Sequence, residues 1–550
     1  MIAFDSHAST IMQGVRSLDT YAFEVARSAD ETSGYNAIRT NQDPAIRLSK
    51  DMLTRYYMNL QTSLNYARSF GNHNVTGMFL YQRDNWDQYG ADLPYNVVGI
   101  VGRATYNYDN RYLAEFNYGY NGSEQFAPNN RFGSFPAFSF GWIISNEKFL
   151  RDNKTLTNLK LRASQGLTGN DKLGSQRFLY QSFINMGGGV FPTLGRGQSV
   201  IQGRMGNESL QWEMAKKSNL GIDMEFLQSL SLTVDLFKED RSKILIGRNT
   251  IPQLQGVPLS NIPRVNIGEV DNKGFEAELT YRKVVNKDFN FLIKGNYAYN
   301  KNTVVYADEV QYGEDYAYRN RVTGFSIGQQ FGYKIDYSNG NGYINTQEEL
   351  DNLPDYQVGG TPRLGDFMYV DTNEDGVIND RDMVPIGYPT IPRVTYALSG
   401  SLNYKKVDFS FLLTGVGQTH RYTSGWGATE FALVGFYSGW HKQAWTAERY
   451  ANGEEILYPA LGMSSGVSQQ PNDVFIMDRS FLRLKTVEIG YTLPEKILNP
   501  MKIENLRFYM NGNNLLTFKK MPIDTVDPEQ SDALVYPLTR MFNFGLNITF

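Results

Sequence analysis

Phe542-Asn-Phe544-Gly-Leu546-Asn-Ile548-Thr-Phe550, the end of the chain, alternates without a break. Phe542, Phe544, Leu546, Ile548 and Phe550 share one parity, and Asn543, Gly545, Asn547 and Thr549 share the other. Successive side chains of a strand point to opposite faces, so this segment is a strand with one apolar and one polar face. A tilted strand crosses a bilayer in roughly nine to eleven residues, the length of this run. A soluble edge strand so apolar and exposed would aggregate, which favours a membrane β-barrel.

The same pattern recurs upstream. Ile100, Gly102, Ala104, Tyr106 and Tyr108 share a face, and after Asp109-Asn110-Arg111 the run Tyr112, Ala114, Phe116, Tyr118 and Tyr120 returns. Phe275, Ala277, Leu279 and Tyr281 lead through Asn286-Lys287-Asp288 to Phe289, Phe291, Ile293, Gly295, Tyr297 and Tyr299. Tyr396, Leu398, Gly400, Leu402 and Tyr404 lead through residues 405–408 to Phe409, Phe411 and Leu413. Each pair reads as a hairpin with a short polar connection. Leu482 and Leu484 differ in parity from Val487, Ile489 and Tyr491, which predicts a β-bulge between them. The other connections, near 300–393, 417–480 and 518–538, are long and rich in Gly, Asp, Asn, Pro and Tyr. Short turns alternating with long loops are the mark of outer-membrane barrels, the short turns periplasmic and the long loops outside. By this rule residues 57–550 form an all-β, antiparallel transmembrane barrel of about 15 or 16 strands. Residues 1–56 are poorly patterned and read as the start of a truncated barrel.

Composition agrees. The chain has 550 residues, 36 Tyr and 33 Phe, yet its mean hydropathy is −0.42. Lipid-facing apolar residues interleaved with polar lumen residues give that combination. No stretch reaches the roughly 18–20 apolar residues of a membrane-spanning helix. The absence of cysteine excludes disulfides and thiolate metal sites. A net charge of −4 without a basic run offers nothing to a nucleic-acid backbone. The opening Met-Ile-Ala-Phe-Asp-Ser-His has neither region of a signal peptide, so processing or an earlier start is expected.

One local motif carries chemistry. Asp371, Asn373, Asp375, Val377 (by its carbonyl), Asn379 and Asp382 occupy the ligand positions of a calcium loop, with Gly376 at its turn. A hard cation needs six to eight oxygens, so the expected cofactor is a structural calcium stiffening an external loop. Gly462-Met-Ser464-Ser-Gly466 fits a hydrolase nucleophile pattern but lacks the flanking strand and helix. His7, His73, His420 and His441 have no metal-binding spacing, and Gly187-Gly188-Gly189 lacks the residues of a phosphate loop. No catalytic set emerges, and the chain is not expected to be an enzyme. Tyr337, Tyr343, Trp426, Tyr437, Trp440 and Trp445 are loop aromatics that either stack on a ligand or order the loops themselves.

Longer phrases resemble the SusC/RagA family of TonB-dependent outer-membrane transporters of Bacteroidetes. They include YNGSEQFAPNNRFGSFPAFSFGWIISNEKFL, LTNLKLRASQGLTGN, NESLQWEMAKKSNLGIDMEFL, IGEVDNKGFEAELTYR, DTNEDGVINDRDMVPIG, RSFLRLKTVEIGYTLP, DPEQSDALVYPLTR and NFGLNITF, in order from about Leu60 to Phe550. The resemblance implies a barrel of about 22 strands around an N-terminal plug that TonB contacts. It also implies a SusD-like surface lipoprotein as lid, and import of oligosaccharides or oligopeptides. The terminal strand resembles the signal read by the barrel-assembly machinery. Measured against that pattern, plug, TonB-contacting segment and first strands are expected to lie outside this sequence. Alone, the chain is expected not to close and insert, because lipid does not tolerate unpaired sheet edges. The alternatives are a siderophore or cobalamin receptor, a surface-binding barrel that does not translocate, and an inactive fragment. A lipoprotein gene next door favours import with a lid.

Overall fold

The computed structural model describes residues 2–15, 21–26, 34–39, 47–87, 93–174, 176–190, 198–310, 321–424, 428–429, 437–462, 466–523, 526–530 and 538–550. Sixteen strands form one antiparallel sheet in which every neighbour in space is the neighbour in sequence. In chain order they are β1 (Ile2–Val15), β2 (Arg47–Phe70), β3 (His73–Trp86) and β4 (Tyr95–Tyr108). Next come β5 (Tyr112–Ser123), β6 (Phe132–Ile143), β7 (Leu156–Asn170) and β8 (Glu213–Phe226). They are followed by β9 (Leu230–Ile246), β10 (Val265–Asn286), β11 (Phe289–Tyr306) and β12 (Val394–Tyr404). The last are β13 (Val407–Gly417), β14 (Phe481–Thr492), β15 (Asn505–Lys519) and β16 (Met541–Thr549). Among the described residues, no helix is long and apolar enough to cross a membrane.

The expected strand number and the alternation of short and long connections are both present. The sheet also reaches into the poorly patterned start, since β1 pairs along its whole length with β2, from Ile2 opposite Leu60 to Val15 opposite Arg47. At the Tyr108–Tyr112 turn, Asp109 and Asn110 both have positive φ, and the Arg111 N–H donates to the Tyr108 carbonyl. That is the primed turn whose twist matches a hairpin, and Asp and Asn tolerate it. The hairpin after Tyr404 is tighter than expected, with Val407 and Asp408 already paired to Tyr404 and Asn403. The predicted bulge is at Lys485, where the registers of β14 with both neighbours slip between Leu484 and Thr486.

The register turns each strand's apolar parity into a continuous outer belt. Phe116 faces Phe138, and Tyr297 faces Tyr396. Phe140, Leu220 and Phe544 are 64, 60 and 76% exposed. In water such a surface would be an association hazard; in a bilayer it is the lipid contact. At the short-turn rim Tyr108, Tyr112 and Trp142 stack in sequence, ring centroids 6.3 and 6.4 Å apart. Glu147 accepts from the Tyr112 hydroxyl (2.7 Å), Trp142 Nε1 (3.1 Å) and Arg111 (2.9 Å), tying that aromatic girdle to the turn.

Candidate functional site: the wall and the loop layer at its mouth

The opposite parity makes a polar wall. On it Arg162 of β7 reaches across Gly221 to Asp223 (2.8 Å) and Asp235 (3.1 Å). Arg507 likewise crosses Gly490 to Asp408 and to Glu488 (2.7 Å). A Cβ on either glycine would sit within 2.7 Å of the crossing charges, so these two positions need glycine. Lys294 pairs with Glu278 at 2.8 Å, and Arg103 with Glu115 at 3.0 Å. At these four positions the wall presents ions already paired to whatever the barrel encloses.

At the long-loop end, the connections after β11, β13 and β15 fold together. Tyr333 N–H donates to the Pro471 carbonyl (2.9 Å), Ala460 N–H to Gly365 (2.9 Å), and Thr423 N–H to Phe475 (2.8 Å). Tyr333, Phe367, Tyr369 and Ile378 come from the first connection, Tyr458, Val467 and Phe475 from the second, Ile523 and Val526 from the third. All are buried in one apolar cluster. Buried polar groups inside it are satisfied across loops. The Tyr369 hydroxyl donates to the Val467 carbonyl (2.7 Å) and accepts from Asn472 (3.2 Å). Asp366 accepts from Ser468 Oγ (2.8 Å) and from the Arg363 backbone (3.0 Å). Burial outweighs those bonds and pushes the Asp366 carboxyl above the usual carboxylate range. Burial likewise pushes the Tyr356 phenol up to about 12.

The third loop is pinned by Arg483, which is 1% exposed at the start of β14. Its guanidinium donates to Thr517 Oγ1 (3.0 Å), Asp527 (2.5 Å) and Glu529, and lies over the Phe481 ring. Arg479 donates to the Gln530 carbonyl beside it. Sequence reading named none of these as site residues. Their signal was present in the phrases RSFLRLK and DPEQ, where an arginine stands on a lumen position and acids stand in a loop.

The loop aromatics divide between the two readings. Tyr343, Trp440 and Trp445 are 5, 5 and 8% exposed and order the loops, because apolar ring area in a long loop is buried first against other loops. Tyr343 stacks on Phe367 at 5.0 Å, and Trp440 meets Tyr458 edge-on at 4.9 Å. Trp445 Nε1 donates to Asn345 at 3.0 Å. Tyr337 and Tyr437 are 53 and 45% exposed and keep open surface. Trp426 lies outside the described residues, as do the central residues 463–465 of the Gly462–Gly466 motif.

The 371–382 loop is compact. Asp371 accepts from Gly376 N–H (2.7 Å) and Asp375 N–H (3.3 Å), and Asp375 accepts from Val377 N–H (2.9 Å). Asn373 Nδ2 donates to Asp375 (2.9 Å), and the Asn379 side chain accepts from Arg381 N–H (2.8 Å). Asp382, fully buried, accepts from Thr372 N–H and Asn379 N–H, both at 2.8 Å. Burial, and then the nearby Asp371 and Asp375 carboxylates, hold its carboxyl above the usual range. Gly376 supplies the turn with φ +81°. Among the described residues, no three His, Asp or Glu side chains converge as a ready-made metal cage.

On the closing strand, Phe542, Phe544, Leu546, Ile548 and Phe550 all stand exposed on the lipid-facing parity. β16 is held along one edge by β15, from Asn505 opposite Thr549 to Asn513 opposite Met541.

Comparison with known proteins places this architecture. Residues 4–515 match the family described as TonB dependent receptor-like, beta-barrel. The TonB-dependent receptor P3 of Formosa agariphila is 29% identical over 493 residues, 82% of this chain and 45% of that protein. The TonB-dependent receptor SusC of Bacteroides thetaiotaomicron is 27% identical over 466 residues, 82% of this chain and 44% of that protein. The chain thus spans about half the length of the curated relatives it matches. Among solved structures, the RagAB peptide transporter superimposes with a TM-score of 0.72 at 17% identity, covering all of this chain and 60% of its own. The chain therefore belongs to the TonB dependent receptor-like β-barrel family of outer-membrane proteins, with SusC among its relatives.

Proposed function

We propose that this barrel belongs to an importer that carries oligosaccharides or oligopeptides across the outer membrane, energised through TonB and closed from outside by a SusD-like lipoprotein. The observation that carries this reading is the match to the receptor barrel over residues 4–515. Two relatives are named TonB-dependent receptors, and the solved structure of like fold is a peptide transporter. The geometry supports the reading in two ways. The arginines that cross the wall, Arg162 and Arg507, are already paired, so a plug can move past them without meeting lone guanidinium ions. The loops are cored like a small domain, which gives a lid a firm rim to seat on.

The test is gene deletion and complementation, with uptake of fluorescent oligosaccharides and peptides followed with and without a protonophore. Import predicts uptake that needs both the gene and the proton-motive force. Uptake of a ferric siderophore alone, or surface binding without entry, would replace this reading. Purification from membranes is expected to bring a lipoprotein with the barrel in about equal amounts.

Two smaller assignments belong to the same reading. The 371–382 loop takes a structural calcium ion through Asp371, Asn373, Asp375, the Val377 carbonyl, Asn379 and Asp382, supported by their spacing and by the φ +81° turn at Gly376. Calorimetry on the purified transporter would detect one calcium site that Asp375→Ala abolishes; no such heat removes the assignment. The strand ending at Phe550 serves as the assembly signal, supported by its exposed apolar parity.

A further inference from the structure

A different part of the mouth, built from β3, β4 and the connection after β7, holds a pocket that the loop layer does not use. Trp86 ends β3 and stands directly opposite Tyr95, which begins β4. Trp86 shares parity with Asp84, and Tyr95 with Arg103 and Thr105, so both rings stand on the polar, lumen-facing side. They stack with centroids 5.0 Å apart and planes 4° apart. The Arg177 guanidinium lies 3.7 Å from the Tyr95 ring centre. It is fixed there by the Leu93 and Pro94 carbonyls and by Glu124 at 3.0 Å. Below, Phe126, Phe135, Leu173 and Trp212 pack into their own apolar cluster, which holds this connection against the wall.

Beside the stack is a pocket of about 450 Å³, lined by Trp86, Tyr95, Asn96, Ser123, Gln125 and Asp171 among others. Gln125 is 6% exposed; its Oε1 accepts from the Phe178 N–H at 3.4 Å. Its Nε2 donates to no group among the described residues. A buried amide donor without an acceptor is costly, and such groups in a pocket wall commonly serve a ligand.

We propose that this pocket is a subsite for one hexopyranose ring of an oligosaccharide, an inference that rests on the import reading and names its substrate class. A pyranose has a face of C–H bonds that lies on a flat aromatic, and a rim of hydroxyls that both donate and accept. The pocket offers that pairing: a fixed indole beside an amide donor and a carboxylate acceptor. Peptide capture calls for a free strand edge or an apolar side-chain pocket. Here β3 is paired on both edges out to Trp86, β4 is paired on both edges from Val97 onward, and the Asn96 N–H before that point is taken by Glu124, so no free strand edge faces the pocket. The stack is set before binding, because Arg177 and Trp86 hold Tyr95 between neighbours, and little ordering cost remains.

The test uses the intact transporter purified from outer membranes and isothermal titration with maltoheptaose, laminarihexaose and cellohexaose, alongside a tryptic digest of casein. At least one oligosaccharide is expected to bind, with Trp86→Ala weakening it about tenfold or more. Trp86→Phe should retain most of the affinity, and Gln125→Leu should lose about threefold or more. Trp142→Ala, in the girdle at the opposite rim, serves as the control, and unchanged heat-modifiable migration confirms that each variant folds. The subsite is wrong if no oligosaccharide binds, if Trp86→Ala leaves sugar affinity unchanged, or if Trp86 instead governs peptide binding. Uptake by cells separates this from the parent reading. Gene-dependent sugar uptake with normal binding in Trp86→Ala sinks the subsite alone, whereas uptake indifferent to gene deletion sinks import itself.

Discussion

Arg483 shows what a buried charge does at the barrel mouth. Thr517, Asp527 and Glu529 together complete its guanidinium, so the cost of desolvation is offset only while the third loop is docked. Arg483→Met is expected to leave Asp527 without its partner and to cost about 3 kcal/mol, with Glu529 adding little because it is half-exposed. Limited proteolysis followed by mass spectrometry would then show new cleavage within residues 520–530; unchanged resistance would mean the loop is held by its apolar contacts alone. Asp366 gives a second test at this scale. Its carboxyl is raised in the folded state by burial, against the opposing bonds from Ser468 and Arg363. The folded protein therefore holds a proton that the unfolded chain has lost, and stability falls as pH rises from the ordinary carboxylate range through the raised value. Asp473, raised for the same reason, adds in the same direction. Asp366→Asn is expected to flatten that part of a stability-against-pH curve measured by hydrogen exchange in the loop layer. An unchanged slope would assign the dependence elsewhere.

Strands and turns show how far local chemistry reaches. The hairpins around Asp109–Arg111 and Lys287–Asp288 were legible because period-2 alternation is written in adjacent residues, and so was the bulge at Lys485, as a jump in parity. The first strand was not, because Ser6, Ala8 and Thr10 on one parity show too little apolar contrast with Asp5 and His7 on the other. The loop layer was illegible for another reason. Its contacts join residues about a hundred positions apart, such as Asp366 with Ser468, and no period marks which loop aromatic will find a partner. Hence sequence left Tyr343, Trp440 and Trp445 undecided between ligand stacking and loop ordering, and the structure buries them, while Trp86 and Tyr95, flanking a short loop, carry no local signal of their place at a pocket. One turn departs from its ideal chemistry. Leu227 and Gln228 both adopt positive φ, and Ser229 N–H closes the turn onto the Phe226 carbonyl at 3.0 Å. A left-handed conformation costs a non-glycine residue roughly 1–2 kcal/mol, so Gln228→Gly should stabilise the hairpin by about 1 kcal/mol. A higher urea midpoint for the folded barrel would register it, and a lower one would mean that Gln228's side chain matters more than its backbone. For β16, removal of Phe550 takes away an aromatic at the rim while leaving the β15 pairing intact. Assembly yield in cells is expected to fall several-fold with folded stability nearly unchanged; equal yield would deny β16 a signalling role.

At the scale of the molecule, the barrel and the loop layer rest on different physics. The wall is a ladder of sequential hairpins stabilised by backbone pairing and lipid contact, and each strand depends chiefly on its two neighbours. The layer is a small globular core that three separate connections must supply together. Phe475 is fully buried within it and lies against Phe367 (6.3 Å), Trp440 (5.7 Å) and Tyr458 (6.0 Å). Phe475→Ala removes a ring from a site that cannot fully collapse around the loss, at a cost of about 3–5 kcal/mol. Because the core is shared, that cost falls on all three loops. Hydrogen exchange is expected to rise together in residues 330–390, 437–480 and 520–530, while β4 to β15 keep their protection. Faster exchange confined to 437–480 would mean that the loops fold independently and only touch. Joint opening would mean that the mouth behaves as one cooperative body on a separately stable barrel, able to loosen without disturbing the strands that hold the membrane seal.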